Sequence, residues 1–449
     1  MDRLEQKILD LIDQNREEII AAGRDIWTHA EMGFKEFRTA GKFADFLKAK
    51  GLEVEEGLAV TGVKGYLKGK GAPGTTVALI GEMDALPIPN HPDANPETGA
   101  SHCCGHNAQV AGVIGSLFAL TDPEIRDALD GNVVFFAVPA EEFVDIEFKK
   151  GLMEQGKIGY GGGKCELIRI GAMDDIDIAV GHHTDPAEEL VLKNNSSNGF
   201  VNKVVEFHGR KAHAAGAPHR GLDALNAATL AMHAIDMQRE SFRDCDTVRV
   251  HGFISRGGEA MNIIADNVTM EHSVRAKNIP AFTDASEKFD RSIRAGAVAT
   301  GCGATINTMP GYLPTIPAKD TRVVEEALAD VAQTKGYRIS YHRADMHTTG
   351  STDFGDVSCI MPLLQFGTGG YRGTLHNPDM LPIDEELAYV ATAKIFALVA
   401  YKLLKNGADA AHALIESYEQ VLSKEEYIRY MDSMKKVETI EPKPLPLLD

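Results

Sequence analysis

Cysteine is scarce in this chain of 449 residues: six stand at positions 103, 104, 165, 245, 302 and 359. So few thiols in so long a sequence make no disulfide framework, and they fit reduced thiols in a cytoplasmic protein. Basic residues are also in short supply, 46 Lys and Arg against 65 Asp and Glu, for a net charge of −19. That deficit argues against a nucleic-acid or anionic-membrane surface and favours solubility. No apolar run reads as approaching the ~18–20 residues that span a bilayer. The opening stretch MDRLEQKILDLIDQNREEII carries charges throughout its apolar pattern, which argues against a signal peptide. There is no internal repeat and no low-complexity segment. What remains is an ordinary globular composition, 44% apolar and 25% charged, long enough for two or three packed units.

Periodicity places the elements. Leu4, Ile8, Leu11, Ile12, Ile19 and Ile20 recur at helical spacing, and a second helix is predicted over Glu36 to Lys50. Apolar runs at Val63–Leu67, Thr76–Ile80, Asn132–Val138 and Ile176–Val180 read as strands, some separated by helices such as Ala108–Leu120. Strands alternating with helices predict an α/β unit with a largely parallel, covered sheet. From about Asn198 the texture changes. A strand (Phe200–Phe207), a helix (Leu222–Arg239), strands at Thr247–Ile254 and Ile263–Ser273 and a helix (Ala281–Ala297) read as a self-contained α+β insert. The α/β rhythm resumes with a helix at Thr321–Lys335, a strand at Met361–Phe366 and a long helix from Asp384 to Leu404. The expected division is 1–197 and 313–449 for the main unit and 198–312 for the insert. A proline-rich tail begins at Glu441.

Chemistry-bearing residues collect at strand ends, where open α/β sheets place their sites. TVALIGEMDALPIP delivers Glu82 and Asp84, SHCCGHNAQ delivers Cys104 and His106, VVFFAVPAEE delivers Glu141 and Glu142, and IDIAVGHHTDP delivers His182 and His183. His376 follows a glycine-rich turn. Each has a bland explanation alone: a tight turn, a solvated edge, a loop histidine. No CxxC pair is present, which weighs against a structural zinc finger. Recurrence at successive strand-to-loop junctions points instead to a Cys, His and carboxylate ligand set, which suits zinc, manganese, nickel or cobalt.

These motifs resemble the amidohydrolase branch of the aminoacylase/carboxypeptidase binuclear metallopeptidase family. That branch holds hippurate hydrolase, indole-acetyl-amino-acid hydrolases and p-aminobenzoyl-glutamate hydrolase. The family's HxxxGxxE, DMDALP, HxCGHD, PAEE, GKxAHAxxPxxGxDA and LHxP patterns appear here as HAEMGFKE, EMDALP, HCCGHN, PAEE, GRKAHAAGAPHRGLDA and LHNP. The resemblance implies a zinc-peptidase-like catalytic domain interrupted by a smaller α+β lid that also mediates assembly into a homodimer or higher homo-oligomer. It further implies that Cys104, His106, Glu142, His183 and His376 hold two divalent transition-metal ions, zinc or manganese first. Glu141 would be the general base and Asp84 the carboxylate that orients a ligand histidine. In the lid, His213 and Asn262 would contact substrate and Arg275 would pair with its carboxylate. The implied activity is hydrolysis of the amide bond of a small N-acyl or N-aroyl amino acid, with His213 reaching in by lid closure or from a partner subunit.

The chain departs from the pattern at three places: Glu82 and Asn107 stand where the branch has Asp, and Gln109 where it has His. The last two changes read as a loss of polar groups beside the metals. Cys103 competes with Cys104 on residue type, and Cys104 holds the family position. The late loop GSTDFGDVS resembles the p-aminobenzoyl-glutamate hydrolase version more than the commoner GSEDF version. Two alternatives remain: a deaminase on the same scaffold, told apart by ammonia without a released amino acid, and a non-catalytic partner subunit, which should have lost Glu141 or several ligands.

Overall fold

The computed structural model describes residues 1–70 and 74–443. They form two compact units, each assembled from separate stretches of chain. The larger comprises Met1–Ser196, Ile316–His347 and Asp356–Leu422. The smaller comprises Ser197–Thr315, Thr348–Gly355 and the described part of Ser423–Asp449.

In the larger unit an eight-stranded sheet runs in the order Glu53–Leu58, Gly62–Lys68, Asn132–Val138, Thr76–Glu82, Ile178–Thr184, Leu363–Thr368, Glu189–Lys193, Arg338–His342. The four central neighbours, from Asn132–Val138 to Leu363–Thr368, are parallel. They are buried on both faces, which is why they read as unbroken apolar runs rather than alternating ones. The pairings flanking them are antiparallel and the last one is parallel again, so the sheet is mixed around a parallel centre. Sharing a direction, the four central strands bring their carboxyl ends out along one edge.

Two helices, His106–Leu120 and Ala391–Leu404, are buried along their whole length. A helix enclosed on all sides needs no polar face, and this corrects one expectation from the sequence. The 19-residue stretch Glu386–Leu404, with mean hydropathy 1.6, is long and apolar enough to cross a membrane. Its burial inside the protein marks it as a core helix. Its lysines are paired, Lys394 with Asp13 and Lys402 with Glu5. Glu5 also completes a capping box with Asp2 at the start of helix Arg3–Gln14, which turns Ile8, Leu9 and Ile12 into the core.

The smaller unit carries a five-stranded antiparallel sheet ordered Arg249–Arg256, Asn267–Ala276, Gly199–His208, Gly303–Pro310, Lys436–Ile440. Strand Asn267–Ala276 alternates buried and half-buried positions, as a sheet covered on one face should. Helices Ala224–Met237 and Ile279–Thr300 are its helical layer. Several boundaries differ from the sequence reading: Thr348–Gly355, expected in the main unit, belongs to the smaller one, and two further differences have a visible cause. The strand expected from Ile263 begins at Asn267, because the backbone at 262–264 bonds to a loop instead: Ala214 N donates to Asn262 O and Ile264 N to Ala212 O, both at 3.0 Å. The C-terminal stretch, expected to stay with the main unit, adds Lys436–Ile440 beside Gly303–Pro310 in this sheet. A five-residue edge strand with mostly exposed side chains carries no signal of which sheet it joins. Of the proline-rich tail, residues 444–449 lie outside the described residues.

Candidate metal centre

The ends of the four parallel strands and the loops after them build one cluster. Between Cys104 and His106 the chain turns at Gly105 with φ +77°. A Cβ there would lie 2.4 Å from Thr184 Oγ1, so both conformation and space demand glycine. The turn ends where helix His106–Leu120 begins, which sets Cys104 and His106 side by side. The Pro139–Glu142 loop is clamped from several sides. Ala140, at φ +49°, receives nothing from a regular ladder. Its N–H donates to Glu36 Oε1 (2.9 Å) and its carbonyl accepts from Gly163 N (3.0 Å). Gly163 must lack a side chain here, since a Cβ would fall 1.7 Å from Pro139 O. Glu142 N donates to Asp84 Oδ2 (2.8 Å) and Lys149 Nζ to Glu142 O (2.7 Å). His376 also has positive φ, +62°, and its N–H donates to Cys103 O (2.8 Å). A non-glycine residue in that region costs about 1–3 kcal/mol, and such strain concentrates at functional sites.

The side chains converge in two triads that share one sulfur. Cys104, His106 and His183 form one, and Cys104, Glu142 and His376 the other, with donor atoms in each within 4.8 Å of one another. Cys104 Sγ lies 3.5 Å from His183 Nε2 and 3.4 Å from His376 Nε2, and His376 Nε2 lies 3.4 Å from Glu142 Oε1. Glu141 falls in a third group with Glu82 and His106. Each triad contains a buried atom without a hydrogen-bond partner: His106 Nε2 in one and Glu142 Oε1 in the other. An orphaned buried group costs about 1–3 kcal/mol. A cation in each triad would remove both penalties, so the residues present fit a metal pair.

Electrostatics agree. Burial pushes the Cys104 thiol up. Burial also raises Glu142, to about 7, with Asp84 adding to it. His106 goes well above its ordinary value: burial opposes its charge, but Cys104 and Glu82 outweigh burial. Burial, with Lys193 beside it, lowers His183 to about 4, and burial with His106 lowers His376. His183 and His376 are thus favoured neutral, as ligands must be, and the raised His106 has to give up its proton on binding a metal. The ring nitrogens are oriented for the task. His106 Nδ1 is 2.9 Å from Asp84 O and 3.2 Å from Asp84 Oδ1, and His183 Nδ1 is 2.8 Å from Thr184 O, so each presents Nε2 to the cluster. His376 is the exposed member, at 53%.

The remaining residues singled out from the sequence belong to the smaller unit. His213 and Asn262 lie on adjacent exposed segments, joined by the Ala214–Asn262 backbone bond and a bridge between His213 and Ile263. Arg275 sits apart from them, its guanidinium 5.0 Å over the Phe200 ring and bonded to Ser351 Oγ (3.2 Å). Of the departures, Asn107 is committed to Gly23 O, Tyr389 and Tyr371 in the core. Gln109 is not a simple loss beside the metals, because it grips Glu82. Sequence reasoning missed three buried partners: Glu36, Lys149 and Lys164. Glu36 was visible as the last residue of HAEMGFKE, whereas nothing local distinguishes the two lysines.

The profile of peptidase family M20/M25/M40 matches residues 78–402. The chain belongs to this family. It is a metal-dependent hydrolase of amide bonds. Among relatives of this M20 protein, the Xaa-Arg dipeptidase of Mus musculus is 27% identical over 424 residues, 90% of each chain. The N-acetyl-L-cysteine deacetylase of Bacillus subtilis (strain 168) is 28% identical over 281 residues, 61% of this chain and 62% of that one. A Bacillus subtilis structure described as a dinuclear metal binding peptidase of the M20 family superposes with a TM-score of 0.63 at 24% identity, covering 87% of this chain and 99% of that one, and so shares the fold.

Proposed function

We propose that this M20 protein holds two divalent transition-metal ions and hydrolyses the amide bond of a small N-acyl or N-aroyl amino acid. One observation carries the reading: two ligand triads share Cys104, and each has an orphaned buried ligand atom. Cys104, His106 and His183 hold one ion, Cys104, Glu142 and His376 the other. A thiolate and three imidazoles disfavour magnesium and calcium, which leaves zinc or manganese first, then nickel or cobalt. The relatives named a dipeptidase and a deacetylase support a small amide substrate.

Bound there, the ions supply Lewis acidity that lowers the pKa of water and polarises a carbonyl. Asp84 holds the His106 ring by Nδ1 and the Glu142 backbone by its N–H, one carboxylate fixing a ligand of each triad. Glu141 takes the proton of the attacking water and passes it to the leaving nitrogen, so that the C–N bond breaks with a neutral amine leaving. His213 donates to the developing oxyanion. Its Nδ1 accepts from Gly216 N (3.0 Å), which leaves the hydrogen on Nε2, the tautomer a donor needs. Asn262 works beside it, and Arg275 takes the substrate carboxylate, a role favoured by its making no ion pair among the described residues. The protein acts as a cytoplasmic homodimer; no disulfide joins any of its six cysteines among the described residues.

The deciding experiment strips the protein with a chelator, reloads it with each metal and follows a panel of acyl-amino acids and dipeptides by mass spectrometry. Expected are about two ions per chain, activity lost on stripping and regained on reloading, and release of a free amino acid. Absence of any bound transition metal would sink the reading, and ammonia without an amino acid would point to a deaminase. A second measurement addresses the donor. His213→Ala should keep its metal and lose about 10²–10³ in kcat with a smaller change in KM. Partial rescue on mixing it with Glu141→Gln would show that the donor comes from a second subunit, and full activity of His213→Ala alone would remove His213 from the chemistry.

A further inference from the structure

Glu82 ends the strand Thr76–Glu82 completely buried, and its carboxylate is held from two sides. Lys164 Nζ, equally buried, donates to Oε1. Gln109 Nε2 donates to Oε2 (2.7 Å), and Glu82 N returns a bond to Gln109 Oε1 (3.1 Å). So fixed, Oε2 lies 3.1 Å from His106 Nε2. The contact is an ion pair when His106 is charged, yet it lacks hydrogen-bond geometry and leaves Nε2 without a hydrogen-bond partner. Nδ1 faces the Asp84 carbonyl, an acceptor only, at 2.9 Å, which turns Nε2 toward the carboxylate. Nε2 and Oε2 thus face each other at full burial with no hydrogen bond joining them. A cation between them would be held by both atoms. Donor atoms sharing an ion at about 2.0–2.2 Å sit about 3–3.5 Å from each other, the spacing seen here.

We infer that Glu82 is a further ligand of the ion that His106 holds, its carboxylate aimed by Lys164 and Gln109. This rests on the two-ion reading above. It gives the departures at 82 and 109 a joint meaning: a carboxylate longer by one methylene reaches the ion, and an amide in place of an imidazole holds it there. Lys164 offsets the added negative charge without occupying the ligand oxygen.

The test is a crystal structure of the zinc-loaded holoenzyme, read with cobalt titrations of the metal-free protein. The expected ion-to-Glu82 oxygen distance is about 2.0–2.2 Å. Glu82→Gln strands a buried lysine and can unfold the chain, so the paired variant Glu82→Leu with Lys164→Met is titrated beside it. Either folded variant should bind one of its two cobalt ions more than about tenfold more weakly, while the sulfur-to-cobalt absorption of Cys104 persists. An ion more than about 3 Å from both Glu82 oxygens, or a double variant that binds both ions at wild-type affinity, overturns the assignment and leaves the two-ion reading standing. Failure of the wild-type protein to bind any ion removes both.

Discussion

Glu141→Gln is expected to keep its fold and both ions and to lose roughly 10²–10⁴ in kcat, the usual contribution of a positioned general base. Glutamine preserves the shape of the side chain and cannot take a proton. The position is exacting: Glu141 follows Ala140, held at φ +49° by Glu36 and Gly163, and precedes Glu142, whose backbone is bound by Asp84 and Lys149. Among the described residues, the neighbouring carboxylates of Asp84 and Glu82 are committed elsewhere. Both Asp84 oxygens are engaged, by His106 and by the Glu142 N–H, and both Glu82 oxygens by Lys164 and Gln109. Steady-state kinetics with elemental analysis of the same preparation checks this. A kcat within a few-fold of wild type would move the proton-transfer role to another group.

Cys104→Ser is expected to lose both ions and all detectable turnover. The sulfur is the one atom common to both triads, and a serine hydroxyl stays protonated where a thiol ionises on binding metal. Cys103→Ser is the control. Cys103 is buried beside it, but its sulfur points to Ser101 Oγ (3.4 Å) and belongs to neither triad. It should retain metal and activity. Elemental analysis of the two variants in parallel decides between adjacent cysteines that residue type alone leaves equivalent, and the opposite result would exchange their roles.

Much of this architecture was legible in the chain because its signals are short-range. Buried parallel strands announce themselves as apolar runs, and Asn132–Val138 was bounded correctly from its residues alone. The polar residues that end such runs stand out, so Glu82, Glu141, Glu142 and His183 were identifiable as a group before any distance was known. Residue chemistry also limited what they could hold, since one thiol with imidazoles and carboxylates suits transition metals.

What the chain could not reveal depends on which distant segments meet. Helix His106–Leu120 packs on strand Thr76–Glu82, and that packing turns Gln109 from an apparent loss beside the metals into the support of Glu82. Two residues earlier, Asn107 points to Tyr371 and Tyr389 instead, because nearby positions on a helix face different neighbours. Lys164 reaches Glu82 across 82 intervening steps of chain, beyond any periodicity. The edge strand Lys436–Ile440 joined the smaller unit for the same reason, its partner lying far upstream. Composition and local pattern therefore determined the element types, the ligand chemistry and the strand ends that carry it. Sheet register and helix packing decided which atoms of those residues face one another, because contacts between remote segments are set by the packing of the whole and not by the pattern of any one stretch.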